Sequence, residues 1–270
     1  MFNLLRMDLY RIKRSPSVYI CLAILLSLSA LCCWLVWLME TPDGRQTAMK
    51  MGMFELEELA ELEAEGNALA DMDLLEMFRD VGMDGGLYCS ILGIVVALFV
   101  CMDFQSGYIK NIMAAHRNRW TYVVSKVLTA GFVNFLYLLI SFGFCLLMNF
   151  LFHLVPFTSW NNILFYLAWA WLISTAFTSL IIAICIFTRS AALGILGTIL
   201  FGSGIIVTFL SYLTNLFHLG QWADYTLYFN MTYGPSVCTG IGDLKIFAIG
   251  LVFMALYTAA ASSALTRQDI

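Results

Sequence analysis

Six long apolar runs, separated by shorter polar segments, constrain the fold of this chain more than any other feature. A helix needs about 20 mostly apolar residues to cross the hydrocarbon core of a bilayer. Only 12% of the residues are charged, whereas soluble domains contain about 25%. The sequence therefore predicts an all-α integral membrane protein with six transmembrane helices. These helices are expected at residues 17–39, 85–102, 127–155, 163–187, 192–216 and 244–265.

Basic residues fall mainly on one side of the predicted membrane. They lie before the first run, between the second and third runs, in the fourth loop and in the tail. Cytoplasmic loops carry an excess of Lys and Arg, so we expect both termini to be cytoplasmic. Lys245, at the outer end of the last run, is an exception. The residues that carry this pattern are Arg6, Arg11, Lys13, Arg14, Lys110, Arg117, Arg119, Lys126, Arg189 and Arg267.

Residues 1–16 are predicted to form an N-terminal amphipathic interfacial helix. Such a helix rests in the headgroup layer, with its basic face toward anionic lipid. Two roles stay open for it, a signal for membrane orientation and a mechanical element. The apolar positions at helical spacing are Phe2, Leu5, Leu9 and Ile12.

Segment 40–84 is the largest polar part of the chain and is strongly acidic. Thirteen acidic and three basic residues give it a net charge of about −10. Apolar positions at helical spacing predict a helical hairpin outside the membrane, with a second helix around residues 74–78. Its field would attract cationic substrates. The alternative is a charged face that only keeps an exposed hairpin soluble. The candidate residues for this attraction are Glu55, Glu57, Glu58, Glu61, Glu63 and Glu65.

The outer segment 217–243 contains few charges and many aromatic residues. Aromatic side chains concentrate at membrane interfaces, and glycines interrupt this segment, so we expect a short interfacial or re-entrant helix. The aromatic residues are Trp222, Tyr225, Tyr228, Phe229 and Tyr233.

Six of the eight cysteines lie in apolar runs, where cysteine behaves as a small apolar residue. Cys89 and Cys238 both fall near the predicted outer surface, and the sequence leaves open whether they pair. The three histidines lack the spacing of a metal site. The sequence also lacks the phosphate-binding GxxxxGK[ST] loop. We therefore expect no catalytic group, cofactor or metal in this chain, and any ATP hydrolysis requires another chain.

The interiors of the runs contain essentially no Asp, Glu, Lys or Arg. Charges inside a membrane are costly and persist chiefly for function, so their scarcity argues against proton relays and voltage sensing. Milder polar residues in the runs are expected to join helices through hydrogen bonds. They are Asn134, Ser141, Asn149, Ser174, Thr175, Thr178, Ser179, Thr198, Ser203 and Thr208.

Residues 103–126 form a polar, basic segment between two apolar runs. Gly107 permits a turn out of the membrane, and the residues after it place an apolar stripe on a short helix. A stripe of this kind can bind in a groove of a soluble partner. The alternative is an interfacial loop that carries only orienting charge. The stripe consists of Tyr108, Ile109, Ile112 and Met113.

The order of residues in this segment is distinctive. Asp103 and Phe104 end the second run, G-x-I-K-N follows at residues 107–111, and a basic pair, an aromatic and a lysine close the segment. This order resembles the type-2 ABC exporter permease family, as do the six runs and the enlarged first outer loop. Within the family, the chain is most similar to bacterial permeases of antimicrobial-peptide export and immunity, such as lantibiotic-immunity and phenol-soluble-modulin exporters. It departs from the family in its strongly acidic loop and at 114–115, where the family often has glycine.

The resemblance implies a permease subunit that exports amphipathic or antimicrobial peptides, or other hydrophobic cargo, across the bacterial cytoplasmic membrane. It further implies a second permease subunit, identical or related, and two ABC ATPase subunits that bind ATP and Mg²⁺. The short helix after Gly107 would be the coupling helix that contacts the ATPase. The implied ATPase-coupling residues are Phe104, Gly107, Tyr108, Ile109, Lys110, Asn111, Ile112, Arg117 and Arg119.

A second hypothesis, from another class, is a non-transporting membrane scaffold or sensor that binds an extracellular partner through the acidic loop. Such a protein needs no ATPase, so binding of an ATPase to the basic segment distinguishes the two hypotheses. A channel is less consistent with the sequence, because no ring of charged or carbonyl-rich filter residues is evident.

Overall fold

The computed structural model describes residues 2–53, 72–83, 86–115, 119–216, 225–237 and 240–267. Within these ranges the secondary structure is helical, with no β-strand. A π-helical turn at Arg79–Met83 follows α4, and a 3₁₀ turn at Ile241–Leu244 precedes α12. The helices are α1 (Phe2–Arg14), α2 (Pro16–Glu40), α3 (Pro42–Lys50), α4 (Leu74–Phe78), α5 (Leu87–Gln105), α6 (Tyr108–Ala115), α7 (Arg119–Phe152), α8 (Trp160–Thr188), α9 (Ala191–Gly202), α10 (Ile205–Leu216), α11 (Leu227–Thr232) and α12 (Lys245–Arg267).

Five of the described helices are long and apolar enough to cross a membrane, namely α2, α5, α7, α8 and α12. Helices α9 and α10 together are long enough for a sixth crossing, but a bend of 57° separates them. The prediction of an all-α integral membrane protein is therefore confirmed, with five or six spans according to how the bent pair is counted.

The predicted span 192–216 is not one continuous helix. Helix α9 ends at Gly202, and the chain turns through Gly204, whose φ of 72° lies in the left-handed region. The ring of Tyr228 packs so closely against this glycine that a Cβ atom there would clash with the Cζ atom of the ring. Glycine adopts this conformation without strain and leaves room for the ring. The single predicted span is therefore corrected to a broken pair.

Helix α7 begins at Arg119, whereas the sequence predicted the third span only from residue 127. No Gly or Pro interrupts residues 119–126, so nothing local ends the helix there. The Arg119 guanidinium donates hydrogen bonds to the backbone carbonyls of Leu265 and Thr266 near the end of α12. The start of α7 and the end of α12 therefore lie at the same end of the bundle.

Helix α8 is the centre of the bundle, and 78% of its most apolar stretch is buried within the chain. It packs against α5, α7, α9 and α12. Trp169 and Tyr166 are fully buried on it, and their rings meet edge to face at 4.9 Å. On α12, Gly250 allows close approach, because a Cβ atom there would lie 3.0 Å from Leu172. By contrast, only 11% of the apolar stretch of α2 and 17% of that of α12 is buried within the chain. Most of the surface of these two helices can therefore contact lipid or another subunit.

A buried hydrogen-bond network joins α5, α7 and α8 around Asn134. The Tyr88 hydroxyl donates to Asn134 Oδ1 at 2.8 Å. Asn134 Nδ2 in turn lies 2.8 Å from Ser174 Oγ and 2.9 Å from Thr175 Oγ1. In an apolar interior a polar side chain needs such partners. The expected role of these residues in joining helices is confirmed for Asn134, Ser174 and Thr175.

In the acidic segment 40–84, the structure describes α3, α4 and the π-helical turn. The predicted second helix is present as α4, and Asp73 caps it by accepting a hydrogen bond from the backbone N–H of Glu76 at 2.9 Å. All its apolar side chains are buried, and the Phe78 ring meets the edge of the Phe142 ring at 5.3 Å. The second helix of the predicted hairpin is therefore not exposed, because α4 packs against α7. Residues 54–71, with all six candidate glutamates, lie outside the described residues.

In the aromatic segment 217–243, the predicted short helix is present as α11. It packs against α8, and the Trp169 indole N–H of α8 donates to the carbonyl of Pro235, three residues after the end of α11, at 3.0 Å. Cys89 is a buried free thiol whose Sγ lies 2.8 Å from the Sδ of Met231 on α11. Cys238, the partner that the sequence left open for Cys89, lies outside the described residues.

Candidate functional site

Four charged side chains meet at the end of the bundle where α1 packs. Asp8 and Arg11 come from α1, Asp103 from the last turn of α5, and Lys126 from α7, seven residues after that helix begins. Asp8, Asp103 and Lys126 are fully buried, whereas the Arg11 side chain is 25% exposed. We call these four residues the charge cluster.

Lys126 is the centre of the charge cluster. Its Nζ lies 2.7 Å from Asp8 Oδ1 and 2.7 Å from Asp103 Oδ2. Arg11 Nη1 completes the chain of ion pairs at 2.6 Å from Asp103 Oδ1. Two acids and two bases balance, so the cluster is neutral as a whole. The ion pairs link α1 to α5 and α7 at one point.

Hydroxyl groups and aromatic rings surround the charge cluster. The Tyr122 hydroxyl donates to Asp103 Oδ2 at 3.0 Å, and the Ser125 hydroxyl donates to Asp8 Oδ2 at 2.8 Å. The Lys126 ammonium also lies 4.0 Å from the centroid of the Phe99 ring. A buried charge is tolerated only when its partners satisfy it. Here each of the four carboxylate oxygens has a partner.

Helix α1 supplies Asp8 because its buried face differs from the predicted one. Leu4, Asp8 and Ile12 are buried and lie four residues apart, so they share one face that packs on α7. Phe2, which the sequence placed on the apolar face, is 86% exposed. Helix α1 is therefore anchored in the bundle by buried charges, and its position in the headgroup layer stays a prediction.

The short helix that was predicted after Gly107 is present as α6, and Gly107 makes the turn before it with a φ of 68°. Ile109 and Ile112 are only 3% and 5% exposed, and they face the interior of this chain. This corrects the expectation that the apolar stripe binds in a groove of a partner. The exposed face of α6 carries Lys110 and Asn111 instead.

Tyr108 joins α6 to α1. Its hydroxyl contacts the sulfur of Met7, and its ring lies 4.8 Å from the Arg11 guanidinium carbon. Arg11 in turn pairs with Asp103, so α6 is tied to the charge cluster through Tyr108. A guanidinium over an aromatic face contributes about 0.5–2 kcal/mol. Of the predicted residues, Tyr108 is therefore the one that connects α6 to the cluster.

The other predicted coupling residues have separate surroundings. Phe104 is half-buried near the end of α5. Arg119 donates hydrogen bonds to backbone carbonyls of α12. Arg117 lies outside the described residues.

The sequence alone did not indicate that Asp8, Asp103 and Lys126 would meet. One signal was available, since Asp8 is the single acid among four bases in residues 1–16. An isolated acid in a basic segment is a candidate for a specific ion pair, but its partner depends on how the helices pack. Among the residues that the structure describes, no group of three or more His, Cys, Asp or Glu side chains is placed to bind a metal.

The helical bundle defines a multi-pass membrane protein. A family model described as an ABC-2 family transporter protein matches residues 4–207. Because this match spans about three quarters of the 270 residues, the chain belongs to the ABC-2 transporter family. A search of curated proteins finds no match. The matched range includes the charge cluster and α6, and the family supports a permease subunit that works with an ATPase partner.

Proposed function

We propose that this chain is the permease subunit of an ATP-driven exporter, and that α6 transmits the motion of separate ABC ATPase subunits. The observation that carries the proposal is the charge cluster. It fixes α1, α5 and α7 together beside α6, while Lys110 and Asn111 stay exposed on the far side of α6. A short helix with one anchored face and one free face is suited to receive force from a partner.

The anchoring determines how a displacement of α6 would spread. Ile109 and Ile112 engage the core, and Tyr108 engages Arg11, so α6 cannot slide freely over the bundle. Packed cores switch between discrete arrangements and do not deform continuously. Movement of α6 would therefore rotate α5 and α7 with α1 as a unit. The ATPase needs only to bind the two arrangements with different affinities.

The complete exporter in this proposal contains a second permease subunit, identical or related, and two ABC ATPase subunits that hold ATP and Mg²⁺. It resides in the bacterial cytoplasmic membrane with α6 on the ATP side. The distribution of basic residues supports this orientation. The poorly buried faces of α2 and α12 offer surface for the second permease subunit.

The test is co-purification of the chain with its ABC ATPase, followed by ATPase assays. In the variant Lys110→Glu/Asn111→Glu, charge is reversed or added on the exposed face of α6 without disturbing its buried face. We expect the affinity for the ATPase and its stimulation to fall about tenfold, which corresponds to the loss of about 1.4 kcal/mol of binding free energy. Replacement of Ile109 or Ile112 by Asp is less informative, because a buried charge would unfold α6.

Lys50→Glu is the matched control. Lys50 is also an exposed lysine, but it lies on α3 at the far end of α2 from α1. We expect this variant to bind the ATPase as the wild-type chain does. Wild-type affinity in the α6 variant would contradict the coupling role. Failure of the wild-type chain to bind any ABC ATPase would favour the scaffold or sensor hypothesis.

We propose amphipathic cationic peptides, including antimicrobial peptides, as the cargo. The support comes from the resemblance to peptide-export permeases and from the net charge of about −10 on segment 40–84. An acidic surface raises the local concentration of cationic ligands. Replacement of the six candidate glutamates of this segment by glutamine is expected to lower peptide resistance of cells severalfold at low salt. Unchanged resistance at wild-type expression would contradict this assignment.

A further inference from the structure

We propose that a groove between α1, α2 and α7 binds one acyl chain of an anionic phospholipid. The groove has a volume of about 380 Å³. Apolar side chains of the three helices line it, among them Leu22 of α2 and Leu136 of α7. Its lining includes no residue of the charge cluster or of α6, and the proposal does not depend on ATP-driven transport.

The few polar groups along the groove are already satisfied, with one exception. The Tyr19 hydroxyl donates to the backbone carbonyl of Lys13 at 2.8 Å, and the Tyr137 hydroxyl donates to that of Val18. The Lys13 ammonium is the exception. Lys13 is exposed at the mouth of the groove, and no carboxylate of the described residues forms an ion pair with it. The groove thus combines an apolar channel with a single cation at its mouth.

The length of the groove fits one hydrocarbon chain. Its wall on α7 extends from Phe132 to Ile140, which is about 12 Å at 1.5 Å per residue. One leaflet of a bilayer has about 15 Å of hydrocarbon. Leu136 and Ile140 are 41% and 42% exposed, so the groove is open along its side and a lipid can enter from the bilayer.

The position of Lys13 favours an anionic headgroup. Lys13 lies in the last turn of α1, directly before the chain enters α2 through Ser15 and Pro16. A lysine near the membrane surface favours anionic lipid by about fivefold. Arg11, two residues earlier, is already paired with Asp103, so Lys13 is the cation available at this groove. A cationic peptide would be repelled at the same place, and the occupant is therefore lipid.

The experiment measures lipid binding to the purified full-length chain by native mass spectrometry. The chain is titrated with phosphatidylglycerol and with phosphatidylcholine that carry identical dioleoyl chains. We expect the wild-type chain to prefer phosphatidylglycerol about fivefold. Lys13→Glu is expected to abolish the preference. Arg6→Glu, the same charge change on an exposed arginine two turns away on α1, is expected to retain it.

A second pair of variants tests the channel itself. Leu136→Trp places a larger side chain in the groove and is expected to weaken binding of both lipids at least fivefold. Leu139→Trp is the matched control, because Leu139 is a leucine of the same helix with a similar exposure of 43% that does not line the groove. Equal affinity of the wild-type chain for the two lipids, or wild-type binding by Leu136→Trp, would overturn the proposal.

Photolabelling of the wild-type chain gives a test that does not depend on how the variants fold. Phosphatidylglycerol with a diazirine in its acyl chain is expected to label residues 18–22 and 132–140. Labels spread evenly over the outward faces of α10 and α12 would indicate ordinary solvation by lipid and would also overturn the proposal.

Discussion

At the scale of single residues, Lys126 is a fully buried lysine that contacts two carboxylates. Its Nζ forms ion pairs with the buried carboxylates of Asp8 and Asp103, at 2.7 Å from an oxygen of each. Buried ion pairs add little net stability compared with apolar packing, but they are costly to break, because the remaining partner keeps its charge without compensation. The charge cluster therefore acts as a constraint on the relative position of α1, α5 and α7.

Lys126→Met is expected to destabilise the chain by about 3–5 kcal/mol, because it leaves the buried Asp8 carboxylate without a cation and Asp103 with Arg11 alone. The measurement is unfolding in detergent, followed by circular dichroism against denaturant. Lys110→Met removes an exposed lysine of similar length and is expected to change stability by no more than about 0.5 kcal/mol. Equal effects of the two substitutions would contradict the buried ion pairs.

Asp8→Asn combined with Lys126→Met is expected to recover part of this loss, because the double variant no longer buries an unpaired Asp8 carboxylate. Residues in one ion-pair network show coupling energies of about 0.5–3 kcal/mol. The double-mutant cycle, measured by the same unfolding experiment, gives that coupling. Strict additivity of the two single changes would mean that Asp8 and Lys126 do not interact.

At the scale of the elements, the sequence predicted the helices better than their contacts. The apolar runs indicated the crossing helices, because about 20 apolar residues have few alternatives. The amphipathic character of α6 was also evident, but Ile109 and Ile112 pack within the chain, and periodicity alone does not say which surface covers a stripe. For α1, several faces were compatible with helical spacing, and the pairing of Asp8 with Lys126 decided between them.

The break between α9 and α10 is a feature of the fold that depends on tertiary contacts and that the sequence did not predict. Glycine is common in membrane helices, so Gly204 by itself did not predict an interruption. The break depends on the ring of Tyr228, which is 24 residues later in the chain and packs on Gly204. The residues next to Gly204 in the sequence therefore give no sign of this contact.

Gly204→Ala is expected to destabilise the chain by at least about 1 kcal/mol, because a Cβ atom would clash with Tyr228 and the residue has a positive φ. Gly143→Ala is the control. Gly143 lies within α7, where an added Cβ would meet no atom within 4 Å, and alanine favours helix by up to about 1 kcal/mol. In thermal unfolding in detergent, Gly204→Ala should have a lower midpoint temperature than the wild-type chain, and Gly143→Ala should not. A neutral Gly204→Ala would contradict the left-handed turn.

At the scale of the whole molecule, the charge cluster, α6 and the end of α12 lie at one end of the bundle, and α3 lies at the other. Contacts of Arg119 with Leu265 and Thr266 establish the first relation, and the continuous helix α2 between α1 and α3 establishes the second. A coupling role for α6 requires that its end faces the compartment with ATP. The side of the membrane on which α6 lies is therefore a test of the proposed coupling role.

Orientation is tested by labelling single introduced cysteines with a membrane-impermeant maleimide. Asn111→Cys and Lys50→Cys both place a thiol at an exposed position, on α6 and α3 respectively. Because basic segments stay in the cytoplasm, we expect Lys50→Cys to react in intact cells and Asn111→Cys only after permeabilisation. The unmodified chain gives the background from its native thiols, and permeabilised cells give full labelling. Reaction of Asn111→Cys in intact cells would place α6 outside, where no ATPase reaches it, and would exclude the coupling role.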